Sequence, residues 1–156
     1  AEFKIPPLGG SVLVTVGSEE TKMIIIPLTW AFKKMGFKIY ATEHTAQTLR
    51  EAGIADVTVL YKVREPEKKP NILDYLLGGK IDLVINIPVE NAPEELREAL
   101  EDEYVIRRLA VEFNVPVVTT IELVAALIRV LRHRAGSRLN VRSLNEYMDS
   151  LPWKYW

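Results

Sequence analysis

Cysteine is absent from this 156-residue sequence, and histidine is scarce. The absence of cysteine excludes disulfides, thiol catalysis and cysteine-ligated zinc or iron–sulfur centres. The two histidines, His44 and His133, stand in unrelated contexts, so we expect no metal site. Apolar runs end well before the roughly 18 residues that a membrane-spanning helix needs, and no secretory leader pattern opens the chain. We therefore expect a cytoplasmic protein without a membrane partner.

An excess of charge of either sign is also missing. Lys and Arg total 20 against 21 Asp and Glu, which gives a net charge of -1. Such a chain has no global attraction to nucleic acid, and the arginines at residues 129–138 lack interleaved aromatic residues. We expect no nucleic-acid partner. With 48% apolar residues, this length suits one domain with a substantial core.

Strand and helix patterns alternate along the chain. Strands are predicted at residues 11–16, 37–41, 57–60, 81–85 and 116–119, and helices at 19–35, 45–52, 72–77, 94–114 and 121–134. Pro27 predicts a kink in the first helix or a later start, and the 94–114 region allows a break near Asp102. The core-facing residues predicted from helical spacing are Met23, Ile26 and Trp30, with Ile25 and Phe32 as further candidates, and then Leu123, Leu127, Val130 and Leu131.

This alternation favours an α/β fold with a doubly wound, mostly parallel five-stranded sheet and helices on both faces. We divide the chain into an N-terminal linker (1–10), one α/β domain (11–135) and a C-terminal helix with an aromatic tail (136–156). The aromatic residues of this tail, Trp153, Tyr155 and Trp156, would form an exposed apolar patch if the tail were free. We therefore expect the tail to pack on the domain or on the rest of a longer protein.

The sequence ATEHT places two hydroxyls where an apolar strand gives way to a helix. Thr42 and Thr45 stand at the N-terminus of that helix, where free N–H groups and the helix dipole favour an anion. Lys22 begins the preceding helix, and Lys62 and Asn86 lie at or near the ends of later strands. Together these residues predict a site for a phosphate or a carboxylate. Simple helix capping by the two threonines is the competing interpretation.

Three ordered stretches carry a family resemblance: GFKIYATEHTAQTLREAGI, then YKVRE with PNILDYLLGGKIDLVIN, then ALEDEYVIRRLAVEFNVPVVTT. The sequence resembles the methylglyoxal synthase-like fold, and specifically the C-terminal regulatory domain of the carbamoyl phosphate synthase large subunit. The resemblance implies a ligand at the carboxyl ends of the strands. Position by position, it implies effector contacts for Lys22, Thr42, Thr45, Lys62 and Asn86, with Thr119 and Thr120 beside the pocket.

The resemblance also bears on catalysis. Methylglyoxal synthase uses an aspartate general base in a GGD motif, but here the stretch reads EKKPN, and Asp74 lies a full turn too deep in the helix. Glu65 or Glu67 is the remaining alternative, in a charged loop that we expect to be solvated. We therefore expect no catalytic residue and no cofactor in this domain. The family's longer protein is expected to use ATP, magnesium and bicarbonate to make carbamoyl phosphate for pyrimidine and arginine biosynthesis.

The family has two effector classes, nucleotides such as UMP or IMP and N-acetylglutamate. The acetylglutamate type places a tryptophan where Lys62 stands and asparagines where Val89 and Glu103 stand, so the sequence favours a nucleotide. Pro88 stands where nucleotide-regulated relatives can have a threonine, which removes one contact.

The partners implied by the resemblance are the small-molecule effector, the other domains of the large subunit and, indirectly, a glutaminase small subunit. The sequence leaves open whether the chain forms a homo-oligomer. The alternatives are a stand-alone lyase of the methylglyoxal synthase type and an N-acetylglutamate-responsive regulatory domain. Arg107 and Arg108 are assigned first to structural salt bridges or to contacts with neighbouring domains.

Overall fold

The structure contains a parallel five-stranded sheet flanked by helices. The computed structural model describes residues 3–89 and 92–136. Its strands are β1 (Ser11–Val16), β2 (Lys38–Ala41), β3 (Val57–Val59), β4 (Leu83–Ile87) and β5 (Val117–Val118). All pairings are parallel, in the order β3-β2-β1-β4-β5. The chain moves outward from β1 to β3 and then returns to the other side of β1, so the topological switch point lies between β1 and β4.

Helices cover both faces of this sheet. They are α1 (Glu19–Lys34), α2 (Glu43–Glu51), α3 (Ile72–Leu77), α4 (Arg97–Glu112) and α5 (Ile121–Gly136). Successive residues of β1 point to opposite faces: Val12 and Val14 pack with α1, α2 and α5, whereas Leu13 packs with α3 and α4. The prediction of a doubly wound α/β fold is therefore confirmed.

The buried stripe of α1 differs from the predicted one. Met23 is 66% exposed, whereas Ile25, Leu28 and Phe32 are fully buried. The prediction for Met23 was wrong because the run of apolar residues at 23–26 is compatible with more than one helical stripe. The helix begins at Glu19 and continues past Pro27, so the alternative of a later start is also wrong.

The boundaries of two elements around the site differ from those predicted. Helix α2 begins at Glu43 rather than Thr45, which makes Thr42 its N-cap. Strand β4 is shifted by two residues, so Asn86 lies inside the strand and pairs in register with Thr15. Helix α4 is continuous through Asp102, and a short 3-10 turn (Glu94–Leu96) precedes it, so the alternative of a break near Asp102 is wrong.

Helix α5 buries a stripe that was only partly predicted. Leu127 and Leu131 are buried as expected, but Leu123 is 56% exposed and Val130 is 41% exposed. Arg132 is 4% exposed, so it does not belong to a basic surface at this end of the chain. Trp153, Tyr155 and Trp156 of the proposed tail lie outside the described residues.

No helix within residues 3–89 and 92–136 is both long and apolar enough to cross a membrane. Within the same ranges, no group of three or more His, Cys, Asp or Glu side chains is placed to hold a metal ion.

Candidate functional site

A cavity of about 240 Å³ lies at the carboxyl ends of the central strands. The end of β1, the start of α1, the start of α2, the loop at residues 61–70 and one face of α4 line it. Of the seven residues implicated by the sequence, four line this cavity: Lys22, Thr42, Thr45 and Lys62. Open parallel sheets bind ligands at this edge, next to the switch point.

The start of α2 forms one wall. Thr42 is the N-cap in an extended conformation, yet its side chain makes no capping hydrogen bond. Thr45 is 1% exposed, and its Oγ1 accepts a hydrogen bond of 3.4 Å from the Val16 backbone N–H. The Thr42 hydroxyl is thus not used as a cap, and the first N–H groups of a helix have no acceptor within the helix. This end of α2 can present several donors to an anion.

Two lysines bring positive charge to the cavity. Lys22 is 7% exposed, and its Nζ lies 2.9 Å from the Glu19 Oε1. This hydrogen bond, together with the lysine charge, lowers the pKa of the Glu19 carboxyl. Lys62 Nζ lies 3.3 Å from the Asp102 Oδ2. Because the Glu19 side chain is largely solvated, its pairing with Lys22 is weak, and an incoming anion can compete for that ammonium group.

The loop at residues 61–70 is held in place from two sides. The Asn71 side-chain amide donates to the backbone oxygens of Lys62 (2.8 Å) and Glu65 (3.1 Å). Arg64 ties the loop to α4 through Glu98 and through Asp102, whose Oδ1 lies 3.1 Å from the Arg64 Nε. These contacts set the position of Lys62 at the cavity.

Three acidic side chains, from the 61–70 loop and α4, also line the cavity. They are Glu65, Asp102 and Glu103. Glu65 is half-buried and pairs with Lys68 at 3.2 Å, so the expectation of a fully solvated Glu65 needs correction. Asp102 Oδ2 is buried and makes an ion pair with Lys62 that lacks hydrogen-bond geometry. Asp74, in contrast, pairs with Lys69 on the surface.

Glu103 is the most deeply buried of these carboxylates. It is 9% exposed, and its Oε2 has no hydrogen-bond partner among the described residues. Burial raises the pKa of its carboxyl above the usual value of 4.5, although the nearby Arg107 charge and a hydrogen bond with the Val89 backbone act in the opposite direction. The Oε2 is itself shielded from solvent, and a buried charged group without full pairing is unfavourable.

The structure places Asn86 behind the cavity wall. It is fully buried, its amide donates to the Thr15 Oγ1 at 2.7 Å, and its Oδ1 accepts from the Arg107 Nη1 at 2.7 Å. Thr15 lines the cavity, whereas Asn86 does not. Arg107 therefore has a structural role in a hydrogen-bonded chain that joins α4, β4 and β1.

Comparison with known proteins agrees with this architecture. The model of the MGS-like domain family matches residues 24–119. The chain belongs to this family. It is 39% identical over 140 residues to the carbamoyl phosphate synthase large chain, C-terminal section, of Methanopyrus kandleri, which covers 90% of this chain and 24% of that relative.

Two further relatives show the same pattern. The corresponding C-terminal section of Aquifex aeolicus is 33% identical over 151 residues, which are 94% of this chain and 26% of the relative. The carbamoyl phosphate synthase large chain of Synechocystis is 33% identical over 139 residues, which are 89% of this chain and 12% of the relative. The MGS-like domain thus spans between 12% and 26% of the length of these three proteins.

In this MGS-like domain, Thr119 and Thr120 line a different cleft. That cleft also involves Ser18, Pro88 and Val89, and it lies beside the start of α5. The Thr120 Oγ1 accepts a hydrogen bond of 3.2 Å from the Leu123 N–H, so Thr120 supports the first turn of α5. The two threonines are therefore not part of the cavity that contains Thr42.

The family resemblance placed Glu103 at an effector position, but no local pattern in the sequence marked the carboxylates of α4 as cavity residues. Asp102 and Glu103 occur in the stretch EDE, which is typical of a solvated helical face. Gly17 is the one local signal. A Cβ built on it would lie 2.7 Å from the Glu103 Oε1 and 2.3 Å from the Val89 Cγ2. A glycine directly after a buried strand indicates a close approach by another group, but it does not identify that group.

Proposed function

We propose that this MGS-like domain is the effector-binding part of a carbamoyl phosphate synthase large chain, and that its cavity binds a small phosphorylated metabolite without turnover. The observation that carries this proposal is the free Thr42 hydroxyl at the N-terminus of α2, in one cavity with Lys22 and Lys62. Hydroxyl, N–H and ammonium donors around one space suit a phosphate dianion.

A nucleoside monophosphate such as UMP or IMP is the proposed effector. Its phosphate would occupy the space between Thr42, Lys22 and Lys62. N-acetylglutamate is disfavoured because its second carboxylate would share the cavity with the buried Glu103, whose Oε2 has no donor among the described residues. Like charges at short range in a partly buried site repel strongly.

The longer protein is proposed to make carbamoyl phosphate from bicarbonate, an ammonia source and ATP with magnesium, using domains outside this chain. The similarity to the large chains of Methanopyrus, Aquifex and Synechocystis supports this view. Effector binding would change that chemistry through unequal affinity for two states of the whole enzyme. The proposed partners are therefore the other domains of the large chain and, through them, a glutaminase subunit.

One observation favours a second candidate, a lyase of the methylglyoxal synthase type. Asp102 and Glu103 line the same cavity as the anion donors, and a carboxylate with a raised pKa, such as that of Glu103, can act as a general base. Incubation with dihydroxyacetone phosphate, followed by assays for methylglyoxal and released phosphate, separates the two candidates. If more product forms than in a buffer control, the lyase is supported and the proposal of effector binding without turnover is contradicted.

Calorimetric titration with UMP, IMP and N-acetylglutamate tests the effector proposal. The substitution Thr42→Ala should weaken UMP binding about tenfold, because one hydrogen bond to a charged phosphate is lost. Stability should hardly change, since the Thr42 side chain caps nothing. Thr48→Ala is the matched control, because Thr48 lies on the same helix and bonds the His44 backbone oxygen outside the cavity. Binding of N-acetylglutamate alone, or equal UMP affinity in Thr42→Ala, would contradict the proposal.

A further inference from the structure

The ion pair between Lys62 and Asp102 joins the loop at residues 61–70 to α4 at the edge of the cavity. The Lys62 Nζ lies 3.3 Å from the Asp102 Oδ2, and the Lys62 side chain is 36% exposed, whereas that of Asp102 is 12% exposed. Both residues line the cavity, but the Oδ2 atom itself is shielded from solvent. A ligand in the cavity can therefore approach the Lys62 ammonium group, whereas it cannot reach the Asp102 Oδ2.

This ion pair differs from those of the other cavity lysines. Lys22 pairs with Glu19 and Lys68 pairs with Glu65, in each case three positions away in the same segment. Among the described lysines that line the cavity, Lys62 alone pairs with a carboxylate from a distant element. An anion that replaced the carboxylate at Lys22 or Lys68 would break no ion pair between two elements. The same replacement at Lys62 would remove a contact between the loop and α4.

The contact between Lys62 and Asp102 is one that a phosphate can replace. It is an ion pair without hydrogen-bond geometry, and partly solvated pairs contribute little to stability. A phosphate oxygen can form a stronger, charge-assisted hydrogen bond with the same ammonium group. The other carboxylate oxygen, Oδ1, lies 3.1 Å from the Arg64 Nε. Asp102 therefore still has a cation beside it after it loses Lys62.

Lys62 stands between two sides of the cavity that have opposite character. The donor side contains Thr42 and Thr45 at the start of α2, and the acceptor side contains Asp102 and Glu103 of α4. Lys62 lines the cavity together with the donor side, but it pairs with the acceptor side. An anion at the donor side and the carboxylate of Asp102 would thus compete for one ammonium group.

We propose that Asp102 is an internal competitor of the ligand anion, and that an anion binds at Lys62 by displacing it. This inference rests on the proposed function, because it assumes that the anion is held by Thr42, Lys22 and Lys62. Asp102 acts through Lys62 and is a positioning residue. The displacement lowers the affinity for the anion, since the ion pair must be broken. It also couples binding in the cavity to the contact between the 61–70 loop and α4.

Calorimetric titration of the whole chain with UMP, and separately with inorganic phosphate, tests the inference. Asp102→Asn keeps the shape of the side chain but removes the competing charge, so the affinity for both probes should rise about fivefold, the order of a partly solvated ion pair. Asp102→Ser also removes the carboxylate and should change the affinity in the same direction. If neither variant binds more tightly than wild type while wild type binds UMP, the inference is overturned and the proposed function stands.

A double-mutant cycle with Lys62→Gln separates competition from simple repulsion. If Asp102 acts through Lys62, Asp102→Asn should change the affinity by less than about twofold once Lys62 has been replaced. A carboxylate that only repels the anion would give the same rise with lysine or glutamine at this position. That result would contradict the proposed competition.

Two further substitutions in α4 are the controls. Glu101→Gln removes a negative charge at an exposed position outside the cavity, and it should leave the affinity as in wild type. Glu98→Gln breaks the ion pair with Arg64 but leaves Asp102 beside Lys62, so it should not raise the affinity. A rise in Glu98→Gln equal to that in Asp102→Asn would show that release of the loop, rather than competition for Lys62, limits binding.

The outcomes separate this inference from the function on which it rests. If wild type and both Asp102 variants fail to bind either probe, the inference and the proposed function are both overturned. Thermal unfolding of each variant shows that the titrated protein is folded.

Discussion

The two sides of the cavity differ in how their residues are arranged along the chain. On the donor side, Thr42 and Thr45 directly follow β2, and they act through the start of the next helix. On the acceptor side, Asp102 and Glu103 lie in the middle of α4, and they reach the cavity only through tertiary packing. The donor side therefore leaves a local pattern in the sequence, whereas the acceptor side has the sequence of an ordinary charged helical surface.

The largest effect is expected on the donor side, from Lys22→Met. The substitution keeps most of the buried side-chain volume but removes the ammonium group of a residue that is 7% exposed. Affinity for UMP should fall about fiftyfold, the order expected for a hydrogen bond between two charged groups. Calorimetry measures it, with Lys34→Met on the exposed side of the same helix as the control. Similar losses in both variants would mean that long-range charge, rather than Lys22 itself, drives binding.

A smaller effect is expected from Asn86→Leu, at the residue behind the cavity wall. This substitution leaves the partly buried Arg107 and the Thr15 hydroxyl without their hydrogen-bond partner. The free energy of unfolding should fall by about 2 kcal/mol, because each buried group without a partner costs about 1–3 kcal/mol. Chemical denaturation measures the loss. In a double-mutant cycle with Arg107→Met, the two losses should not add, and simple additivity would show that this hydrogen bond contributes little.

The smallest effect is a pH-dependent change in stability on the acceptor side. Burial raises the pKa of Glu103 above 4.5, so the folded protein binds this proton more tightly than the unfolded chain does. The associated stability is complete below pH 4.5 and is lost as the pH rises through the raised pKa. Relative to wild type, Glu103→Gln should therefore gain stability with rising pH, reaching on the order of 1 kcal/mol. Denaturation curves across this range measure it, and a difference that does not vary with pH would exclude an ionised, buried Glu103.

Much of the architecture was readable from the sequence because β-branched runs and helical spacing alternate. The strand at Ser11–Val16 and the helix at Ile72–Leu77 were predicted from local signals alone. The two-residue shift of β4 was not, because an apolar run does not fix register, and Asn86 owes its place to its pairing with Thr15. Register depends on a neighbouring strand that is far away in sequence.

The candidate site was predictable to a similar degree. Lys22 and Lys62 were predicted from their places at a helix start and near a strand end, and again through the family resemblance. The structure brings both to the cavity that Thr42 lines. Glu103 was beyond local reasoning, because its burial depends on the close approach between α4 and Gly17. The spacing of apolar residues within α4 carries no information about Gly17, which lies 86 positions before Glu103 and has no side chain.

The hydrogen-bonded chain from Arg107 through Asn86 to Thr15 has a mechanical consequence. If α4 slid along its axis, it would break the bond to Asn86 and leave a partly buried guanidinium without that amide oxygen. Helix α4 therefore has one preferred position on the sheet. A displacement from that position would occur as a discrete step and not as a continuous shift.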